Sequence, residues 1–129
     1  MKNAIFSFLV MFLITSCATT AKFPISSITP GAQITAKMKK DKNNNYAVSV
    51  TANYLASAER LQTPMKTYVV WITTADNDTK NIGRLNSKNP KKATLQTSTP
   101  FQPKEIFITA ENEGDLSYPS GIEISRTRF

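Results

Sequence analysis

The sequence predicts an all-β fold: an antiparallel, immunoglobulin-like β-sandwich of about seven strands, preceded by a signal peptide and a flexible tether. Two observations predict the sandwich. Short runs of alternating or wholly apolar residues recur between turn signals, and no long stretch of the chain after the leader has the 3.6-residue period of an amphipathic helix. A closed barrel is the alternative architecture for such a pattern.

The run at residues 65–74 is the most strongly apolar one after the leader, and it predicts the central strand. It contains the single tryptophan of the chain, Trp71. Tyr68, Val70 and Ile72 alternate with Val69 and Trp71, so both faces are apolar. Such a run is typical of an interior strand that is covered on both sides, at least over part of its length.

The other strands are predicted from alternation and from turn residues. A hairpin is expected between Ile34–Lys40 and Tyr46–Leu55, because an Asn- and Lys-rich turn separates two alternating runs. Ser57–Leu61 has the composition of a helical turn. The remaining predicted strands are Lys80–Leu85 with a bulge at Gly83, Lys92–Thr97 at a sheet edge, Glu105–Glu111, and Gly121–Arg128.

The first residues are typical of a bacterial lipoprotein leader. A basic start is followed by the apolar run Ala4–Ile14, which is much shorter than the roughly 20 residues that a spanning helix needs. Ile14-Thr15-Ser16-Cys17 follows, and it resembles the lipobox. The resemblance implies cleavage before Cys17 and attachment of acyl chains, palmitate among them, to that cysteine. An ordinary secretory leader with an incidental cysteine is the alternative.

These observations divide the chain into a signal peptide (1–16), a lipidated tether (17–33) and a β-sandwich domain (34–129). The tether is predicted because its residues are rich in Thr, Ala and Ser, contain Pro24 and Pro30, and have no helical period. Fully extended, it would reach on the order of 50 Å from the membrane. Ala18 stands where an aspartate often marks retention in the inner membrane, so the outer membrane of the cell envelope is expected.

Composition excludes several classes of function. The chain has 129 residues and a formal net charge of +7, which favours anionic partners such as lipid headgroups or cell-wall polymers. Nucleic acid is not expected, because no basic stripe with interleaved aromatic residues occurs. There is no histidine and Cys17 is the single cysteine, so a disulfide within the chain and a His- or Cys-ligated zinc site are both excluded.

Three groups of charged residues are candidate binding sites. Exposed lysines at strand ends usually serve solubility, but they also suit an anionic partner. Acidic residues on turns are usually solvated, but they also suit calcium. The basic candidates are Lys37, Lys39, Lys40 and Lys42 in one patch and Lys88, Lys91 and Lys92 in another. The acidic candidates for a metal are Asp76 and Asp78 in one turn and Glu111, Glu113 and Asp115 in another loop.

No catalytic residue is assigned. Histidine-based triads are absent, and no phosphate-binding glycine loop occurs. No cofactor is expected beyond the covalent lipid at Cys17. The sequence therefore favours a non-catalytic, membrane-anchored module that binds or assembles with an envelope protein or polymer. A calcium- or small-ligand-binding sandwich and a hydrolase with an unrecognised Ser–Lys site remain as alternatives.

Three stretches of the second half form a recognisable set: Tyr68–Ile72, Ile82–Leu85, and Ile106–Glu111 together with the turn Tyr118-Pro119-Ser120-Gly121. Together they resemble the extracytoplasmic C-terminal domain of the anti-sigma-K factor family. The Gly-Gly usual in the family's loop is replaced by residues 112–115. The resemblance implies a small sandwich fold. Because a lipid-anchored domain outside the cytoplasm cannot hold a sigma factor, it does not imply sigma-factor regulation.

Overall fold

The computed structural model describes residues 18–129 as two antiparallel β-sheets that pack face to face. The predicted signal peptide and Cys17 lie outside the described residues. The strands, in chain order, are β1 (Thr19–Lys22), β2 (Gln33–Lys40), β3 (Tyr46–Asn53), β4 (Thr67–Thr74), β5 (Thr79–Arg84), β6 (Asn86–Asn89), β7 (Lys92–Thr99), β8 (Pro103–Glu111) and β9 (Ile122–Arg128).

The strand order confirms the predicted immunoglobulin-like sandwich. The five-stranded sheet has the order β1-β2-β3-β7-β6, and the four-stranded sheet has the order β5-β4-β8-β9. Without β1, these are the A-B-E-D and C′-C-F-G sheets of an immunoglobulin domain. Strand β1 is an addition that extends the first sheet beyond β2.

Strand β4 is buried on both faces, as its sequence predicts. Tyr68, Val70 and Ile72 point into the main core between the sheets. Val69 and Trp71 point to the opposite side, where they form a second cluster with Phe107. The rings of Trp71 and Phe107 stack with centroids 6.3 Å apart, and the half-buried Leu116 covers the cluster. The tryptophan therefore lies outside the space between the sheets, unlike the core tryptophan of antibody domains.

Local turn chemistry produces the predicted hairpin and bulge. Strands β2 and β3 pair in register from Lys40 opposite Tyr46. Asn44 has a φ of 62° in their turn, a conformation that asparagine tolerates well. Gly83 has a φ of 133° beside a register shift in the β4–β5 pairing, so the predicted bulge is present. The predicted helical turn is a 3-10 helix, Ala58–Arg60. Over residues 18–129, no helix is long and apolar enough to cross a membrane.

The prediction that residues 92–97 form an edge strand is wrong. Strand β7 pairs with β3 on one side and with β6 on the other, so it lies inside the sheet. The edge is β6, which is not among the strands predicted from the sequence. These residues are all exposed and polar, so they carry no alternating apolar signal. They form a strand because they pair with β7, so tertiary contacts rather than local sequence decide their conformation.

The structure differs from the predicted tether at Thr19–Lys22, which form β1 and join the sandwich, whereas residues 23–32 are the loop between β1 and β2. Strand β1 pairs with β2, and Ala21 is buried opposite Ala36. Ser125 Oγ donates a 2.9 Å hydrogen bond to the Pro24 carbonyl, and Thr127 Oγ1 donates one of 3.2 Å to the Lys22 carbonyl. Both donors are on β9. Contacts with residues about a hundred positions away, rather than local sequence, thus order this segment.

This order predicts resistance to proteolysis. Trypsin should cut the native chain slowly after Lys22, because that backbone is paired on one side and hydrogen-bonded on the other. It should cut faster after Lys42, which lies exposed in the hairpin turn and serves as the internal control. Mass spectrometry of a limited digest measures both rates. First cleavage after Lys22 would contradict the ordered β1 and favour a tether.

Candidate functional site

The charged residues in the strands of the five-stranded sheet are all basic. None of the residues in its five strands is an aspartate or a glutamate. The strands of the four-stranded sheet, in contrast, contain three glutamates. The lysines in the strands of the five-stranded sheet are Lys22, Lys37, Lys39, Lys40, Lys88 and Lys92.

Three of these lysines form one surface, which we call the basic face: Lys22 of β1 with Lys37 and Lys39 of β2. Residues paired directly across an antiparallel sheet point to the same side. Ala21 is buried opposite Ala36, so the residues that alternate with this pair point outward. Lys22 is opposite Thr35 and therefore diagonal to Lys37, at about 7–8 Å. Lys39 follows two residues along the same strand, about 7 Å further on.

A shallow depression of about 320 Å³ lies on the same outer surface. Lys37 and Lys39 flank it, and the small side chains of Ala47 and Ser49 form part of its floor. Ala18, the first described residue, also lines it. The basic face is therefore adjacent to the point at which the chain enters the sandwich.

The other two lysines of the first predicted patch are engaged differently. Lys40 Nζ lies 6.0 Å from the centre of the Tyr46 ring, a cation–π contact at the start of the hairpin turn. Lys42 is in the turn itself, next to Asp41. The Asp41 carboxylate accepts hydrogen bonds from the backbone N–H groups of Asn43 and Asn45, at 2.8 and 3.0 Å. A carboxylate thus lies among these two lysines, and none lies on the basic face.

The second predicted patch is separate from the first. Lys88 is on β6, at the opposite edge of the sheet from β1, and Lys91 is in the turn between β6 and β7. Lys92 begins β7 opposite Asn53, at the far end of the sandwich from Thr19. The three lysines are exposed. The two predicted basic patches therefore lie at opposite edges of the five-stranded sheet and at opposite ends of the sandwich.

The first acidic candidates form an ordinary turn between β4 and β5. The Thr74 N–H donates to the Asp78 carbonyl at 2.9 Å, and the Asp78 N–H donates to Thr74 Oγ1 at 3.2 Å. Asn77 between them has a φ of 64°. Asp76 and Asp78 are both exposed. The residues thus satisfy the local turn geometry in the way that Asx- and Thr-containing turns do.

Glu111 is a buried hydrogen-bond acceptor. It is 1% exposed at the end of β8. Thr109 Oγ1 donates to its Oε2 at 2.6 Å, and Trp71 Nε1 in turn donates to Thr109 Oγ1 at 2.8 Å. Ser120 donates twice, from Oγ to Oε1 at 3.1 Å and from its N–H to Oε2 at 3.3 Å. The carboxylate thereby links the tryptophan cluster to the turn before β9.

The predicted acidic metal cluster is not assembled. Glu113 and Asp115 are exposed on the loop, whereas Glu111 points inward to Thr109 and Ser120. Within residues 18–129, no group of three or more His, Cys, Asp or Glu side chains is arranged to hold a metal ion. The hydrogen bonds from Thr109 and Ser120 are the physical reason, because they occupy both oxygens of the Glu111 carboxylate.

The turn at Gly121 requires glycine for close packing. A Cβ at this position would overlap the Ala110 carbonyl oxygen. Only glycine therefore allows Ser120 to approach Glu111. The stretches on which the family resemblance depends, on β4, on β8 and in the Pro119-Ser120-Gly121 turn, meet around this carboxylate.

Tyr68, near the start of β4, is part of the main core. Its hydroxyl donates a 2.6 Å hydrogen bond to the Ala56 carbonyl, and burial raises the pKa of Tyr68 to about 12. A depression of about 400 Å³ lies beside it, with Arg60, Lys66 and Lys92 among its lining residues. None of the side-chain hydrogen bonds found in residues 18–129 joins a serine to a lysine, which the Ser–Lys hydrolase hypothesis requires.

Sequence reasoning missed Lys22, the third lysine of the basic face. It was assigned to the tether, although Ala21 and Phe23 alternate with Thr20 and Lys22. Four residues of alternation are too short a signal to predict a strand. The roles of Thr109 and Ser120 had no signal in the sequence, because their common partner is defined only by the fold.

Comparison of the chain with known protein families, with curated proteins and with solved structures finds no match.

The network around Glu111 predicts a stability change. Glu111→Ala should lower the free energy of unfolding by about 1–3 kcal/mol, because it leaves the buried Thr109 hydroxyl without its acceptor. Glu113→Ala, two residues away on the exposed loop, should change it by less than about 0.5 kcal/mol. Urea denaturation measures both variants. Equal stability of the two variants would contradict a structural role for the Glu111 carboxylate.

Proposed function

We propose that this chain is a bacterial envelope lipoprotein, acylated at Cys17, whose immunoglobulin-like sandwich binds another envelope component without catalysis. The observation that carries this proposal is Ile14-Thr15-Ser16-Cys17 directly behind a short apolar leader. Several acyl chains on one residue anchor a protein firmly, whereas a single chain gives only marginal binding. Ala18 supports the outer membrane as the site of anchorage.

The position of β1 supports an anchor of this kind. Thr19 is the second residue after Cys17 and already pairs with β2. The acyl chains would therefore leave the protein at the edge of a folded sheet. The domain would be held at the membrane surface, without the long spacer that the sequence predicted.

Exposed apolar side chains on loops support a binding role. The β1–β2, β3–β4 and β8–β9 loops all lie at the end of the sandwich opposite Thr19, since neighbouring strands are antiparallel. Ile25, Tyr54 and Tyr118 on these loops are 81%, 60% and 71% exposed. Sandwich domains often bind partners through loops at one end, and exposed aromatic residues are enriched in protein interfaces.

Substitution of the cysteine tests the anchor. Cys17→Ser should abolish the uptake of labelled palmitate and should block processing of the leader. Ser16→Ala, which keeps a small residue before the cysteine, is the matched control and should be lipidated normally. Metabolic labelling and the mass of the mature chain measure both variants. A Cys17→Ser chain that still takes up palmitate and fractionates with membranes would refute the proposal.

A further inference from the structure

We propose that the basic face, formed by Lys22, Lys37 and Lys39, lies against the bilayer and binds its anionic phospholipid headgroups. This inference rests on the proposed function for the acyl anchor at Cys17. It goes further in assigning which surface of the sandwich meets the membrane, which residues bind there and what chemistry they recognise.

The anchor position brings the basic face to the membrane. Cys17 is two residues from Thr19, and consecutive Cα atoms are 3.8 Å apart, so their Cα atoms are separated by at most about 8 Å. Thr19 and Thr20 pair directly with Met38 and Lys37. The acyl chains therefore enter the bilayer beside β2, where neighbouring strands are about 5 Å apart. This position brings Lys37 and Lys39 within reach of the headgroups when the anchor is inserted.

The charges favour an anionic surface. Lys22 is diagonal to Lys37 across the sheet, and Lys39 is two residues further along the same strand, so their positive charges repel one another. No strand of this sheet carries a carboxylate that would neutralise these charges. A lysine near an anionic membrane strengthens association by about fivefold. Three adjacent lysines on one face therefore strengthen the membrane association that the acyl anchor provides. They also fix which side of the domain faces the bilayer.

The remaining charges agree with this orientation. Glu105 and Glu123 lie on the outer side of the four-stranded sheet, where they form ion pairs with Arg126 at 3.3 and 2.7 Å. This side would face away from the bilayer. The hairpin end of the sandwich is less suited to anionic lipid, because Asp41, Asp76 and Asp78 lie among its lysines.

The surface shape also suits headgroups. The outward residues next to the lysines on β3 are Ala47 and Ser49, whose side chains are short. They leave the depression of about 320 Å³ between the sheet and the longer lysine side chains. Its lining exposes mostly apolar atoms, along which the lysine side chains can extend to place their ammonium groups at the headgroups.

Amine labelling of the reconstituted protein tests the inference. The lipidated full mature chain is placed in vesicles of phosphatidylcholine alone or of phosphatidylcholine mixed with phosphatidylglycerol. An acetylating reagent is added, and mass spectrometry gives the labelling rate of each lysine. Lys22, Lys37 and Lys39 should label about fivefold more slowly on the mixed vesicles. Lys88 and Lys91, at the opposite edge and end, should label equally on both. Molar salt should remove the difference, because it screens exposed charges.

A variant pair tests the cooperation of the lysines. Lys37→Gln with Lys39→Gln should remove the protection of Lys22 on mixed vesicles. Lys88→Gln with Lys91→Gln removes the same charge elsewhere and should leave that protection unchanged. All four residues are exposed, so both variants should unfold at the same urea concentration as the unsubstituted chain, which checks that they fold.

The outcomes separate the inference from the proposed function. Absence of lipid on Cys17, read from the mass of the mature chain, would overturn both. A lipidated chain whose Lys37 and Lys39 label equally on the two kinds of vesicle would overturn only the assignment of the basic face. Protection in intact cells without protection on vesicles would also overturn it, and would assign the lysines to an anionic wall polymer.

Discussion

The pairing of β4 with β8 is the interaction on which the rest of this fold depends. The two strands pair along nearly their whole length, and their side chains are buried on both faces. On one face, Val70, Ile72 and Ile108 fill the space between the sheets. On the other face, the Trp71 ring stacks on Phe107, and its indole N–H donates a hydrogen bond to Thr109 Oγ1. Thr109 Oγ1 in turn donates a hydrogen bond to the Glu111 carboxylate. Burial of such side chains contributes about 1.5–3 kcal/mol each, so this pair stabilises both the core and the β8–β9 loop.

Strands with a strong local pattern could be predicted, and strands defined by their neighbours could not. The β2–β3 hairpin and β4 have alternation or apolar runs over eight residues each. Strands β1 and β6 have four residues each, and pairing with β2 and β7 defines them. The environment of Glu111 likewise could not be predicted from nearby residues. Its spacing from Glu113 and Asp115 made it a candidate calcium ligand on a solvated loop, but its carboxylate is buried and accepts hydrogen bonds from Thr109 and from Ser120, nine residues away.

The two sheets have different surfaces, and this difference connects the fold to the proposed function. The outer side of the four-stranded sheet is covered by Leu116 and by ion pairs of Arg126. The outer side of the five-stranded sheet carries lysines, threonines and serines and no acidic residue. The additional strand β1 belongs to the five-stranded sheet and begins two residues after Cys17, so the lysine-bearing surface lies next to the proposed anchor. We propose that β1 holds the basic face at the membrane, while the exposed loops lie at the end of the sandwich opposite Thr19.

The most direct test is the distance between the sandwich and the bilayer. Neutron reflectometry of the lipidated chain on a supported bilayer that contains phosphatidylglycerol gives the protein density as a function of height. Because β1 begins two residues after Cys17, the account predicts protein density that starts at the headgroups. A water-filled gap of tens of ångströms, the length that a flexible segment of residues 17–33 would span, would contradict it.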